Sequence, residues 1–178
     1  VPRLWTDTID AHRRAVRDAT LDTAAALVAE HGLAAVTMSQ LAERTGIGRA
    51  TLYKYFPDVS AVLTAWHERQ LQAHLADLQE ATAAIPDPAA RLTTALQTYA
   101  TLQQSAHRHL AEQGAHSSDL AALLHSSGHV AEARTQLHEF LTSLIADAAR
   151  SGHARTDMSP TELATYCLHA LTAAATAP

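Results

Sequence analysis

Residues 37–56 read Thr37-Met38-Ser39-Gln40-Leu41-Ala42-Glu43-Arg44-Thr45-Gly46-Ile47-Gly48-Arg49-Ala50-Thr51-Leu52-Tyr53-Lys54-Tyr55-Phe56. Threonine followed three residues later by glutamine is a capping box: the hydroxyl accepts from an early helix N–H, and the glutamine side chain reaches back to the cap. A short helix is therefore expected from Thr37 to about Arg44. Thr45-Gly46-Ile47-Gly48 carries the glycines of a tight turn. A second short helix is expected over residues 49–56, stopped by Pro57. Two short helices joined by such a turn make a helix-turn-helix, whose second helix fits the major groove of DNA. Met38, Leu41, Ala42, Ile47, Leu52 and Phe56 supply the apolar seam between the helices, with Arg49, Thr51, Tyr53, Lys54 and Tyr55 facing outward.

Those outward groups suit a duplex. An arginine at the start of the second helix can hold a guanine edge with two parallel hydrogen bonds, and the Thr51 methyl can meet a thymine methyl. Tyr53, Lys54 and Tyr55 suit phosphate oxygens, as does the open helix start at Thr37. A solvated helical hairpin would give two surface tyrosines beside cations little to do.

Working outward, residues 10–31 predict a first helix with Val16, Leu21, Ala24, Leu27 and Val28 as its apolar stripe, ended by Gly32. Residues 1–9 read as a loosely ordered arm. Asp58 caps a fourth helix over about 59–84, with Val59, Leu63, Trp66, Leu71, Leu75 and Leu78 at near-helical spacing. Ile85-Pro86-Asp87-Pro88 breaks the chain and starts a fifth helix to about Leu110. A loop is expected at 114–118, a short helix at 119–125, a long helix at 129–150 and a polar linker at 151–158. Ser159-Pro160-Thr161-Glu162 is a second capping box and opens a last helix towards Ala174.

Composition agrees with an all-α chain. Of 178 residues 47% are hydrophobic, mostly alanine and leucine, and no run alternates with the period of a strand. The net charge of −5 is unevenly spread. Residues 1–60 are neutral, and the whole excess lies in residues 61–178. Between Ala34 and Pro57, Glu43 stands against Arg44, Arg49 and Lys54, a locally basic patch on an acidic chain. The single cysteine, Cys167, rules out an internal disulfide and reads as a small buried residue. No signal peptide and no apolar run near 18 residues is found, so a cytoplasmic protein without a membrane partner is expected. The chain begins with Val1, not methionine, which predicts a native N-terminus further upstream.

From Thr45 to Pro57 the sequence resembles the recognition region of TetR-type (TetR/AcrR) transcriptional regulators, with Gly32, Thr37 and Leu41-Ala42 where that family places them. The resemblance is specific over about residues 10–66. It implies an N-terminal three-helix DNA-binding domain, here residues 1–57, and a C-terminal helical bundle for ligand binding and dimerisation, here residues 58–178. It also implies a homodimer on a palindromic operator in double-stranded DNA, acting as a repressor that a small-molecule effector releases. By the same resemblance Thr37, Arg49, Ala50, Thr51, Tyr53, Lys54 and Tyr55 carry DNA contact. One position departs: where the family commonly has a lysine two residues after the proline, this chain has Val59, so one phosphate interaction is expected to disappear or to move to another group. The family usually ends in two packed helices that make the dimer, and here the long helix at 129–150 is expected to share that interface with the last one. The joining faces are expected around Leu137, Leu141, Leu144, Leu163, Ala170 and Leu171.

A ligand pocket is expected inside the C-terminal bundle. Trp66, Tyr99, Leu102, His107, Leu124, Phe140 and Tyr166 are its candidate lining. Few cations are available there, which favours a neutral or cationic apolar compound. Of the twelve histidines, His125 and His129 have a metal-ligand spacing, but Ser126-Ser127-Gly128 separates them and no acidic or cysteine ligand supports them. No metal, cofactor or catalytic residue is expected. An enzyme on a helical bundle would need clustered Glu and His on facing helices, and no Glu-x-x-His is present. A helical interaction protein without DNA binding leaves Arg49, Thr51, Tyr53 and Tyr55 unexplained.

Overall fold

The structure is a computed structural model that describes residues 3–112 and 128–175. Seven α-helices are described: α1 (Arg3–His31), α2 (Met38–Thr45), α3 (Arg49–Tyr55), α4 (Val59–Ala83), α5 (Pro88–Glu112), α6 (Gly128–Arg150) and α7 (Pro160–Ala175). The all-helical class is as the sequence predicts. The expected loop at 114–118 and helix at 119–125 lie outside the described residues.

Local chemistry sets most boundaries. Thr37 is the N-cap of α2: its hydroxyl and its N–H both donate to Gln40 Oε1, at 2.7 and 3.0 Å, and Gln40 N–H donates to Thr37 Oγ1 at 3.3 Å. Ser159 and Glu162 make the equivalent box at the start of α7. Asp58 caps α4 by accepting from Ala61 N–H, and Asp87 caps α5 by accepting from Ala90 N–H. Gly46 ends α2 at φ 68°, a left-handed backbone that a side chain would strain.

One boundary differs. Helix α1 begins at Arg3, not near Asp10. The apolar stripe starts only at Val16, which is why the first residues read as an arm. Residues 3–10 nevertheless hold no glycine or proline, so nothing stops the helix from continuing backwards.

The chain forms two compact units divided within α4, between Arg69 and Gln70. Contacts group Val59–Arg69 with the first unit. The core of that unit joins Leu21, Leu27 and Val28 of α1, Leu41 of α2, Leu52 of α3, Phe56, and Val62 and Leu63 of α4. In the second unit α5, α6 and α7 pack on one another around Ala95, Leu141, Leu144, Ile145, Leu163 and Ala164. Arg91 latches the α4–α5 corner there, donating to the carbonyls of Ile85 and Pro86 and lying 3.5 Å from Asp147.

That packing corrects the expected joining faces. Leu141, Leu144 and Leu163 are buried in the chain's own bundle and offer little surface to a second copy. An apolar stripe reads the same in sequence whether a neighbouring helix of the same chain or a partner covers it. Ala170 remains exposed on α7. Cys167 is half-buried, and burial pushes its thiol above the ordinary value. Among the described residues no helix is long and apolar enough to cross a membrane, and no three His, Cys, Asp or Glu gather as metal ligands.

Candidate nucleic-acid interface

Helix α3 is short, and its seven residues divide by what they face. Leu52 is wholly buried and anchors the helix to the core. Arg49, Ala50, Thr51, Tyr53 and Lys54 are exposed, Tyr53 to 46%. Tyr55 is half-buried against the core. Residues three and four apart share a helix face. Arg49, Ala50 and Tyr53 thus form one outward face, and Thr51, Lys54 and Tyr55 another. Among the described residues neither Arg49 nor Lys54 has an acidic partner within ion-pair distance, so both charges face solvent unneutralised.

The face of Thr51, Lys54 and Tyr55 forms one wall of an open groove of about 510 Å³. Arg13, Arg14 and Arg17 of α1 line the rest. Arg17 is held by stacking its guanidinium over the Phe56 ring, 5.5 Å from the centroid. Sequence reasoning misses these arginines. Their signal is present as three of the seven cations in residues 1–60, spaced three and four apart on a helix, but the turn motif draws attention to residues 37–56.

Two expected contributors are engaged elsewhere. Thr37 spends its hydroxyl proton and its N–H on the capping box, so the remaining donors at that helix start are the backbone N–H groups of Met38 and Ser39. Arg44 forks onto Glu30 of α1 with bonds of 2.5 and 2.9 Å, which ties α2 to α1 and withdraws one cation from the basic patch. The hydrogen bond from Arg44 holds the Glu30 carboxyl below its ordinary value of 4.5. A carboxyl depressed by folding stabilises above its unfolded pKa and loses that contribution as pH falls through the folded one. Glu30→Gln should therefore melt slightly below the wild type at pH 7 and together with it near pH 3, in paired thermal melts. A gap that persists in acid would show that the pair is not its source.

The described candidate ligand residues fall in both units. Trp66 packs on the core of the first unit, where its indole Nε1 is buried and has no partner among the described residues. In the second unit, Phe140 packs on the bundle core, Leu102 is half-buried, and Tyr99 accepts a hydrogen bond from Gln103. Tyr166 is 68% exposed, which corrects its place in an interior pocket. Leu163 and Ala164 take the buried side of α7 and leave Tyr166 outside. The His107 side chain and Leu124 lie outside the described residues.

A three-helix unit with a capped first helix, a left-handed glycine turn and a solvent-facing second helix defines a helix-turn-helix fold, here followed by a helical bundle. Comparisons with known proteins agree. Residues 21–65 match the family described as bacterial regulatory proteins, tetR family, a stretch that includes Thr45 to Pro57, where the resemblance lies. Two uncharacterised HTH-type transcriptional regulators of Mycobacterium tuberculosis are 32% identical over 94 residues, a stretch that is 52% of this chain and 46% of each relative. The match thus spans about half the length of these curated relatives. The fold is similar to that of a TetR transcription regulator from Haloarcula marismortui, with TM-score 0.72 and 19% identity over 92% of this chain and 85% of the other. It is also similar to that of FadR from Bacillus subtilis in complex with stearoyl-CoA, with TM-score 0.64 and 15% identity over 89% and 84%.

Proposed function

We propose that this chain is a DNA-binding transcriptional repressor that holds a palindromic operator as a homodimer and is released by a small-molecule ligand. The observation that carries the DNA part is α3: a short helix anchored by Leu52 whose outward side offers Arg49, Ala50, Thr51, Tyr53 and Lys54 to solvent. A protein with no use for a duplex has no reason to display an unpaired arginine, a lysine and a large aromatic there. Thr37 and Tyr55 complete the contact set, the first through its helix start and the second through its hydroxyl. Gel shift on the DNA upstream of the protein's own coding sequence tests this. Retardation at near-physiological salt that excess random duplex does not abolish is the expected result, and equal binding to every duplex would remove the regulatory reading.

One seven-residue helix covers few base pairs, so useful specificity needs two copies. With Leu141, Leu144 and Leu163 buried in the protomer, the joining surface moves to the outer side of α7, where Tyr166 and Ala170 stand four apart. Tyrosine is enriched in such contacts. Sedimentation at micromolar concentration should give a dimer, and Tyr166→Arg with Ala170→Arg should give a monomer with unchanged helical content. A wild-type monomer would sink the proposal.

For the ligand, the buried Thr142 hydroxyl of α6, which has no partner among the described residues, is a polar group left over in the second unit. Arg91 and Arg150 pair with Asp147, and Arg155 with Asp157, so only Arg108 and Arg134 of the second unit's five arginines remain for an anion, which favours an uncharged or cationic apolar compound. Helix α4 is shared by both units, so a ligand that packs against it differently in two states can alter DNA affinity. The neighbours of this fold include one solved in complex with stearoyl-CoA, which supports ligand binding as a use of the scaffold.

A further inference from the structure

The groove between α1 and α3 has four cationic side chains on its walls, Arg13, Arg14, Arg17 and Lys54, and no acid among its lining residues. This sits on a chain whose net charge is −5. Arg13 and Arg14 are exposed, and Arg13 has Asp10 at 3.8 Å, itself exposed. Exposed pairs at that distance contribute little and give way to a better anion. Four like charges facing one space repel one another, a cost that nothing in the fold requires. Arg17 is set in place by Phe56, and the Thr51 hydroxyl and the Tyr55 ring close the remaining side.

We infer that this groove is a seat for backbone phosphate of the duplex, with Arg13 and Arg14 of α1 and Lys54 of α3 as its cationic contacts and Thr51 as a neutral donor. The inference rests on the DNA reading proposed above and extends it to a helix outside the turn motif. The groove opens on the exposed side of α3, beside the Arg49–Tyr53 face, so a strand read by that face passes its phosphates over the groove. Bulk and openness favour a polymer backbone over a free anion: the walls are long, exposed side chains, and nothing encloses a small ion. Contacts of this kind position the protein and add affinity without carrying sequence information. The α1 arginines therefore supply the phosphate interaction expected to move when Val59 stands in place of a lysine.

The test is the salt dependence of binding by the full chain, followed by fluorescence anisotropy. One labelled duplex comes from the region upstream of the coding sequence, and another of equal length has random sequence. Arg13→Ala with Arg14→Ala leaves Arg17 on Phe56 and removes only exposed groups, and circular dichroism confirms the fold. The slope of log K against log salt should become shallower by about 0.9 for each phosphate that is no longer neutralised, on both duplexes alike. The ratio of affinities for the two duplexes should stay unchanged. Arg13→Lys with Arg14→Lys should restore the slope, because a point charge suffices for a phosphate. An unchanged slope in the alanine variant overturns the inference alone, while a lost affinity ratio with the slope intact assigns these arginines to base reading and overturns it too. A wild-type chain without salt-dependent binding to either duplex overturns the DNA reading and this inference together.

Discussion

Replacing Leu52 by alanine is expected to destabilise the first unit by about 2–5 kcal/mol, the cost of deleting a fully packed leucine and leaving a cavity behind. Leu52 is 0% exposed and is the buried side chain by which α3 joins the core of Leu41, Phe56 and the α4 residues Val62 and Leu63. A domain of this size is stable by only about 5–15 kcal/mol, so the loss is a large share of the total. Urea melts read it directly, as a midpoint that falls at unchanged slope. Ile9→Ala is the control: Ile9 is half-exposed on α1, and its loss should cost no more than about 0.5 kcal/mol. If Leu52→Ala melted like that control, α3 would not be held by core packing, and the rigid presentation of its outer face would have no basis. DNA affinity should fall further than stability alone explains, because a loosened α3 must be reordered at each binding event.

Arg49→Ala should cost about 1–3 kcal/mol of sequence-specific binding while leaving the melting curve in place, since the side chain is exposed and unpaired. The loss should appear as relaxed preference at one base pair in each half-site. Lys54→Ala should behave differently, weakening binding to all sequences and flattening the salt slope, as expected for a charge that meets phosphate. The contrast is informative because the two residues lie on different faces of one short helix. Operator binding by Arg49→Ala that matches the wild type at equal salt would remove Arg49 from the reading set and shift that role to Tyr53 or Ala50.

What is legible in the sequence is local. The Thr37–Gln40 and Ser159–Glu162 boxes, the left-handed turn at Gly46 and the Asp87–Pro88 helix start each depend on residues within four positions, so spacing alone locates them. What is not legible depends on which helix lies against which. Leu141, Leu144 and Leu163 could equally face a partner, and only the packing of α5, α6 and α7 decides that they do not. Size alone places Tyr166 inward, whereas the register of α7 gives the inner side to Leu163 and Ala164. Arg13, Arg14 and Arg17 lie over thirty positions before the α3 residues that they join in one groove, a distance over which no periodicity argument reaches. Arg44 shows the converse: as a member of the basic patch it looks available, and a glutamate fourteen positions earlier takes it.

The indole of Trp66 gives the molecule a built-in optical probe. Trp5 and Trp66 are the chain's two tryptophans, and among the described residues the buried Trp66 N–H has no acceptor, whereas a buried indole normally finds one. An indole in apolar, hydrogen-bond-free surroundings emits at shorter wavelength than one in water, and it is sensitive to the arrival of an acceptor. Trp5→Phe would leave a single tryptophan, seated on the helix that both units share. Its emission then reports on the first third of α4 in unlabelled protein, moving to the red whenever water, a ligand oxygen or a shifted carbonyl reaches that N–H. Screening for the natural effector could begin with a spectrum, before any operator is known.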